Sequence, residues 1–348
     1  MTAKVKKTKG RSVEEIDGWF ATGGLVRSRR GSSAGITTRL RAERYSPEEL
    51  HRPLLAPQQA ANGVHWISIP AWQKLGWLWH GFSTRQGGMS RAYCAEGTPG
   101  ELNLGFTAHD ERASVERNRA LLAEAISGSA KTPMATVRQF HSNLVVAAGE
   151  HERPCRGDGL MTDQPGTLLA VLTADCIPVL VADRKRKVAA AFHAGWRGTV
   201  KRIVELGVGR MRLLYGSRPE DLTAAIGPGI GACCYAVGEE VRSEFESQFA
   251  YAPELFKEVF DADPIHKKYP MLFLTQRAPG HSPIGPQMHV DLVEANRRQL
   301  LDAGLKAGQI HTVGGCTQCD RAWFFSHRGS DGHAGRMMSV IGIRARER

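Results

Sequence analysis

Residues 167–198 read TLLAVLTADCIPVLVADRKRKVAAAFHAGWRG, and their pattern decides the fold class. Three apolar runs, TLLAVLTA, PVLVAD and KVAAAFHA, are separated only by short polar breaks, which predicts buried strands. A helix is expected after Gly198. In TVKRIVELGVGRMRLLYG, Ile203, Val204, Val208, Met211 and Leu214 recur at helical spacing, although Gly207 and Gly209 each cost about 1 kcal/mol relative to alanine. DLTAAIG then reads as a further strand.

Working outward, WISIP and LWHGFSTR are strand-like, a loop of GGMS character follows, and VERNRALLAEAI has the spacing of a helix. Downstream, GEEVRSEFESQF and VDLVEANRRQLLDAG predict amphipathic helices. Between them, from Ala252 to His289, a stretch with Pro, Gly and His lacks clear periodicity and is expected to be an insertion loop. IHTVGG, FFSHR and MMSVIGI are short and β-branched enough to be strands. The rhythm is that of a mixed α/β fold over residues 65–348. Residues 1–64, rich in Gly, Ser, Arg and Pro, are expected to form a basic, mobile or loosely packed extension.

The chain is 42% hydrophobic and 23% charged, close to globular averages. No apolar stretch approaches the roughly 20 residues that span a bilayer, so no membrane insertion is expected. The opening MTAKVKKTKGRSVEE is followed by no apolar h-region, which points to the cytoplasm. Seven cysteines, an odd number, suit reduced thiols or metal ligands better than a disulfide framework. The formal charge of +11 invites a nucleic-acid reading. Just over half of this excess positive charge lies before about residue 64 and no aromatic RNA-binding signature accompanies it, so a solvated basic tail is the better reading. A basic nucleic-acid-binding protein with a structural metal is the competing class.

Three side chains with soft or borderline donor atoms lie at ends of expected strands or turns: His141 in RQFHSN, Cys176 in LTADCIP and His193 in AFHAGWRG. Two imidazoles and a thiolate leave a fourth tetrahedral position on Zn²⁺ for water, whose pKa can fall to about 7. The same atoms also fit a Cys176 nucleophile activated by a histidine without metal, with Asp175 available to orient the ring. Two histidines beside one thiolate favour the metal. Arg85 in STRQGG, Arg197 in GWRG, and Arg328 and Arg336 in SHRGSDGHAGR sit in Gly-containing loops suited to oxyanions. Asn103 in NLG is a candidate site contact.

Two further motifs carry less. GPGIGA matches G-x-G-x-x-A, yet Pro228 stiffens the turn and no acidic strand end follows about twenty residues on, which argues against a dinucleotide site. Cys316 and Cys319 form a lone C-x-x-C without a second pair, so buried thiols are expected there rather than a structural zinc.

The segments DGLMTDQPGTLLAVLTADCIPVLVAD, AFHAGWRG, AIGPGIGACCYAVGEEV, DLVEAN and CTQCDRAWFFSHRGSDGHAGR occur in the order of the YfiH family, which the chain resembles from Leu78 to Ile343. That family is also called peptidoglycan editing factor or laccase-domain protein. The resemblance implies a layered α/β/β/α fold with mixed sheets. It also implies a purine nucleoside phosphorylase with adenosine deaminase and methylthioadenosine phosphorylase activity, acting on purine nucleosides and phosphate. The family's metal positions fall on His141, Cys176 and His193. Ser142 stands where the family motif has Gly, and the 252–289 segment is longer than the family leads one to expect. The editing-factor name implies an alternative, an amidase acting on a peptidoglycan precursor through the same metal. An older label, multicopper oxidase, fits poorly: the 13 histidines include no His-x-His pair, and one Cys-His₂ trio cannot supply several copper centres. Zinc is preferred over copper.

Overall fold

The computed structural model describes residues 44–149, 155–259 and 287–345. The first elements are β1 (Arg44–Tyr45), α1 (Pro47–Leu50), β2 (Gln58–Gln59), β3 (His65–Ile67), β4 (Leu78–Ser83), β5 (Gln86–Ser90) and α2 (Arg112–Ser127). There follow β6 (Met134–Ala135), β7 (Val145–Ala147), β8 (Gly159–Thr162), β9 (Leu168–Thr173), β10 (Ile177–Asp183) and β11 (Val188–Ala194). Then come α3 (Trp196–Val200), α4 (Ile203–Tyr215), β12 (Leu222–Ile226), α5 (Glu239–Gln248), α6 (Ala252–Leu255) and β13 (Phe256–Val259). The last are β14 (Gln287–Val290), α7 (Leu292–Asp302), β15 (Ile310–Thr312) and β16 (Met337–Ile343).

One six-stranded sheet runs β15-β12-β10-β11-β8-β7, and a second runs β2-β3-β4-β16-β9-β6. Both are mixed: β12 with β15, β7 with β8, and β6 with β9 are parallel, while the central pairs are antiparallel. A three-stranded sheet, β1-β13-β14, completes the set. Alternation along the strands explains the layering. Val179 and Val181 of β10 join Phe192, Val204, Met211 and Leu300 in a core shared with helices α4 and α7. Leu180 and Ala182 point the other way, into a core with Leu169, Val171 and Ile341 of the second sheet. That sheet's far face, through Leu168, Ala170, Met338 and Val340, packs on Leu122, Ala123 and Ile126 of α2. The order helix, sheet, sheet, helix is the layered α/β/β/α arrangement, and burial on both faces is why the quoted runs lack polar alternation.

The three runs divide between the sheets. β9 belongs to the second sheet, whereas β10 and β11 pair antiparallel in the first. The helix expected after Gly198 is broken: α3 already begins at Trp196, and Arg202 at φ +58° separates it from α4. Gly207 has a packing reason, because a Cβ there would lie 2.5 Å from the Phe192 ring, so the glycine lets α4 lie directly on β11.

Three expectations are corrected. The packed body starts by Arg44, not near Val64: β1 pairs with β13, Ser46 caps α1 with a capping box, and Arg52 pairs with Asp291 at 2.8 Å. The expected loop 252–289 is structured at both ends, as α6 and β13 on one side and β14 on the other, with Leu255, Val259 and Val290 buried. Strands of four residues are too short to show a period, and residues 260–286 lie outside the described residues. FFSHR is not a strand, since Phe324 and Phe325 are both buried in succession and the Phe325 amide meets the Met337 sulfur rather than a ladder carbonyl. GPGIGA leads from β12 into turns, not into a helix, in keeping with its dismissal as a dinucleotide loop.

Candidate functional site

The crossover between the sheets creates the site. β9 ends at Thr173 and β10 begins at Ile177, so Ala174, Asp175 and Cys176 form the corner where the chain changes sheets. Asp175 takes φ +87°, a conformation rare outside glycine. It is held there by the Ile230 amide on its carbonyl at 2.8 Å, and by the Thr317 hydroxyl and Arg328 amide on its carboxylate, both at 2.6 Å. Opposite the start of β10, Pro178 pairs with His193 and Ile177 with Ala194, which sets His193 beside Cys176. A Cβ on Gly195 would lie 2.8 Å from the Cys176 sulfur and 2.9 Å from the His141 ring, so only glycine fits where the chain leaves β11. Beyond it, Asn296 and Gln299 of α7, both fully buried, fasten Thr199 of α3 at 3.1 and 2.7 Å.

His141 comes from the loop before β7 and also has positive φ, +61°. Its turn wraps around the fully buried carboxylate of Asp158. The amides of His141 and Ser142 donate to it at 3.0 and 2.7 Å, the Ser142 hydroxyl at 2.7 Å, and Phe140 more weakly at 3.2 Å. His193 Nδ1 lies 2.8 Å from the same carboxylate. Burial alone would push this carboxyl up, but the hydrogen bonds from His193 and Ser142 outweigh it and hold the group well below the usual carboxylate range. The orienting acid is therefore Asp158, not Asp175, whose carboxylate is spent on Thr317 and Arg328. Ser142 likewise acts inside this cradle and does not line the cavity.

The donor atoms of His141, Cys176 and His193 all lie within 4.8 Å of one another. The Cys176 sulfur is 3.7 Å from His141 Nε2, and the two imidazoles stand edge to face with centroids 5.0 Å apart. Tetrahedral zinc with ordinary Zn–N and Zn–S bonds separates N from S by about 3.6 Å. With Nδ1 of His193 committed to Asp158, its Nε2 is left for a ligand. The residues fit zinc. Burial would raise the Cys176 thiol, yet the charge of His193 and hydrogen bonds from both imidazoles bring it down to about 6. Burial would lower His193, but Cys176 and Asp158 raise it to about 9.

A cavity of about 830 Å³ opens over the trio. Arg197 and Arg328 line it, with Arg119, Arg138 and Arg336; Phe106, Trp196 and Tyr235 supply aromatic faces. Among the described residues none of these five guanidiniums is paired with a carboxylate, which makes the cavity a place for anions. Arg85 and Asn103 are not brought there. Arg85 pairs with Glu101 at 2.5 Å, donates to the Arg321 carbonyl at 2.9 Å and lies over the Phe325 ring. Asn103, fully buried, bridges Gly105, Asp110 and the Arg336 amide. Sequence reasoning missed Asp158, Arg119 and Arg138. A ligating histidine calls for a carboxylate partner, but only the pairing of Gly159 with Phe192 singles out Asp158.

The family described as multi-copper polyphenol oxidoreductase laccase matches residues 79–344. The chain belongs to this family. Members similar to it include the purine nucleoside phosphorylase of Deinococcus radiodurans, 39% identical over 271 residues, covering 77% of this chain and 90% of that protein. Another, from Bacteroides thetaiotaomicron, also named purine nucleoside phosphorylase, is 35% identical over 273 residues, covering 76% and 91%. The crystal structure of YlmD from Geobacillus stearothermophilus superposes with a TM-score of 0.65 at 31% identity, covering 84% of this chain and all of that one. The YfiH resemblance in the motifs is thus a family relation, in fold as well as sequence. The copper in the family's description has a narrow footing here: among the described residues, only the trio gathers histidines into a group able to hold a metal. No described helix is long and apolar enough to cross a membrane.

Proposed function

We propose that the chain is a zinc-dependent purine nucleoside phosphorylase of the cytoplasm that also deaminates adenosine and cleaves methylthioadenosine. The carrying observation is the cavity itself, where a Cys-His₂ donor set and five carboxylate-free guanidiniums face the same space. The names of the relatives supply the substrate class.

His141, Cys176 and His193 would hold the ion. When bound, zinc supplies Lewis acidity sufficient to bring a water's pKa to about 7. The chain's residues do the rest. Asp158 keeps the His193 proton on Nδ1. Arg197, stacked on Trp196 at 4.2 Å, and Arg328, anchored by one guanidinium nitrogen on the Ala236 carbonyl, keep donors for a phosphate oxyanion directed at the ribose. Phe106 and Tyr235 offer faces on which a purine ring can stack and so be held while the bond to ribose breaks.

Incubation of the zinc-loaded protein with adenosine, inosine and methylthioadenosine, with and without phosphate, tests this reading. Expected are free base with ribose 1-phosphate from inosine only when phosphate is present, and ammonia from adenosine without it. A protein that leaves all three nucleosides intact but cleaves an amide of a cell-wall peptide would overturn it.

A further inference from the structure

We propose that Cys233, Cys234, Cys316 and Cys319 form a second metal centre, a closed tetrathiolate site for zinc that is separate from the trio. In sequence, Cys316 and Cys319 look like a lone C-x-x-C. In the fold, the turn after β12 brings Cys233 and Cys234 to them: the sulfurs of Cys319 and Cys234 are 3.3 Å apart, those of Cys319 and Cys233 3.6 Å, and all four lie within 4.8 Å. All four are free thiols.

The spacing selects the occupant. A zinc–sulfur bond of about 2.3 Å at the tetrahedral angle places sulfurs about 3.8 Å apart, within the observed spread. An iron–sulfur cluster sits between its cysteines and holds them farther apart, so a mononuclear ion fits better. Soft thiolates select zinc over hard cations such as magnesium or calcium. Four protein ligands leave no open position, which makes the site structural rather than catalytic.

The backbone is arranged for it. Gly229 and Cys316 form a bridge, the Thr317 amide donates to the Gly229 carbonyl at 3.1 Å, and the Gly231 amide points at the Cys316 sulfur at 3.2 Å. Asp320 accepts from the Cys316 amide at 2.9 Å and closes the C-x-x-C turn. Cys233 and Cys316 are buried and Cys319 is exposed, giving an ion a way in. A divalent cation stabilises all four thiolates, and the remaining protons leave to solvent as it binds.

The role follows from what the two turns touch. Thr317, next to Cys316, holds the Asp175 carboxylate, and Ile230, close to Cys233, holds the Asp175 carbonyl. Asp175 precedes Cys176 at the corner between the sheets. The tetrathiolate ion therefore clamps the two segments that keep Cys176 in place.

The test uses the full chain bearing Cys176→Ala, which disables the trio and leaves the cluster intact. Purified under reducing conditions, this variant should carry one zinc per chain against two in the unsubstituted protein. Zinc X-ray absorption should show a shell of four sulfurs at about 2.3 Å, and cobalt substitution should give the intense sulfur-to-cobalt bands of a tetrathiolate. Adding Cys319→Ser, at the exposed position, should abolish those bands and weaken metal retention at least tenfold; should that double variant not fold, the absorption shell of the Cys176→Ala protein decides alone. A Cys176→Ala protein without metal would overturn the assignment, whether its four thiols react freely with a thiol reagent or two of them are found oxidised to a disulfide.

Discussion

Replacing Asp158 by asparagine exchanges a buried carboxylate for an amide among five donors: the amides of Phe140, His141 and Ser142, the Ser142 hydroxyl and His193 Nδ1. The new NH₂ group cannot point anywhere without facing one of them. If it takes the Oδ2 position, the Ser142 amide loses its acceptor. If it takes the Oδ1 position, His193 must accept through Nδ1 and carry its proton on Nε2, where it can no longer bind a metal. An orphaned buried donor costs about 1–3 kcal/mol, and the surviving bonds lose their charge assistance, so Asp158→Asn should destabilise the metal-free protein by about 2–6 kcal/mol in urea denaturation. Zinc affinity, measured by competition with a chromogenic chelator, should fall about 10- to 100-fold. The pH dependence has a definite sign. The folded carboxyl lies below its ordinary value of about 3.9, so its stabilisation is fully present above that value and is lost as pH falls toward the folded value. The variant should accordingly show a shallower loss of stability below about pH 4. Unchanged zinc affinity beside lowered stability would refute the tautomer argument, and unchanged stability would refute the cradle altogether.

Arg197→Ala should cut phosphorolysis roughly 10- to 150-fold, the equivalent of one charge-assisted contact of about 1.5–3 kcal/mol, and should spare ammonia release from adenosine measured without phosphate. Arg85→Ala should leave the phosphate dependence of base release unchanged and lower the melting temperature instead, because it strands Glu101, whose carboxyl burial already pushes up. In chelator-treated protein the Cys176 thiol titrates at about 6, so alkylation by iodoacetamide should be fast at neutral pH and fall as pH drops through that value; in His193→Ala, burial should return the reaction to alkaline pH. Rates that titrate near an ordinary thiol in both proteins would contradict the pairing. Gly207→Ala should lower stability by about 1–3 kcal/mol despite the better helix propensity of alanine, since the methyl group meets the Phe192 ring; a rise in the denaturation midpoint would show that α4 can shift.

How much was legible depends on whether the cause was local. β9, β10 and β11 could be read because burial on both faces leaves a continuous apolar signature, and α2 and α7 because helical spacing is short-range. Which sheet each strand joins could not be read, since TLLAVLTA and PVLVAD are equally apolar and only the positive φ of Asp175 between them sends the chain across. His141, Cys176 and His193 were visible as residue types at strand ends. The thiol cluster was not, because its members are 85 and 86 residues apart and C-x-x-C shows only half of the set. Arg85 misled for a related reason: a guanidinium in a Gly-flanked turn serves an internal ion pair as well as an oxyanion, and its partner Glu101 lies on a different strand-and-loop segment.

Of the non-glycine residues with positive φ among those described, His141 and Asp175 both sit at the site, and each such conformation costs on the order of 1–3 kcal/mol. Local propensity would not select either. What selects them is a buried or nearly buried carboxylate beside each: Asp158 gathers the amides around His141, and the side chain of Asp175 fastens its own corner to Thr317 and Arg328. The donor geometry is therefore a product of long-range hydrogen bonds, between residues up to 153 positions apart, and can form only after both sheets have closed on one another. It follows that the site is as stable as the seam between the sheets, and that substitutions in the two clamping turns, far from the cavity in sequence, act on the position of Cys176 before they act on any bound substrate.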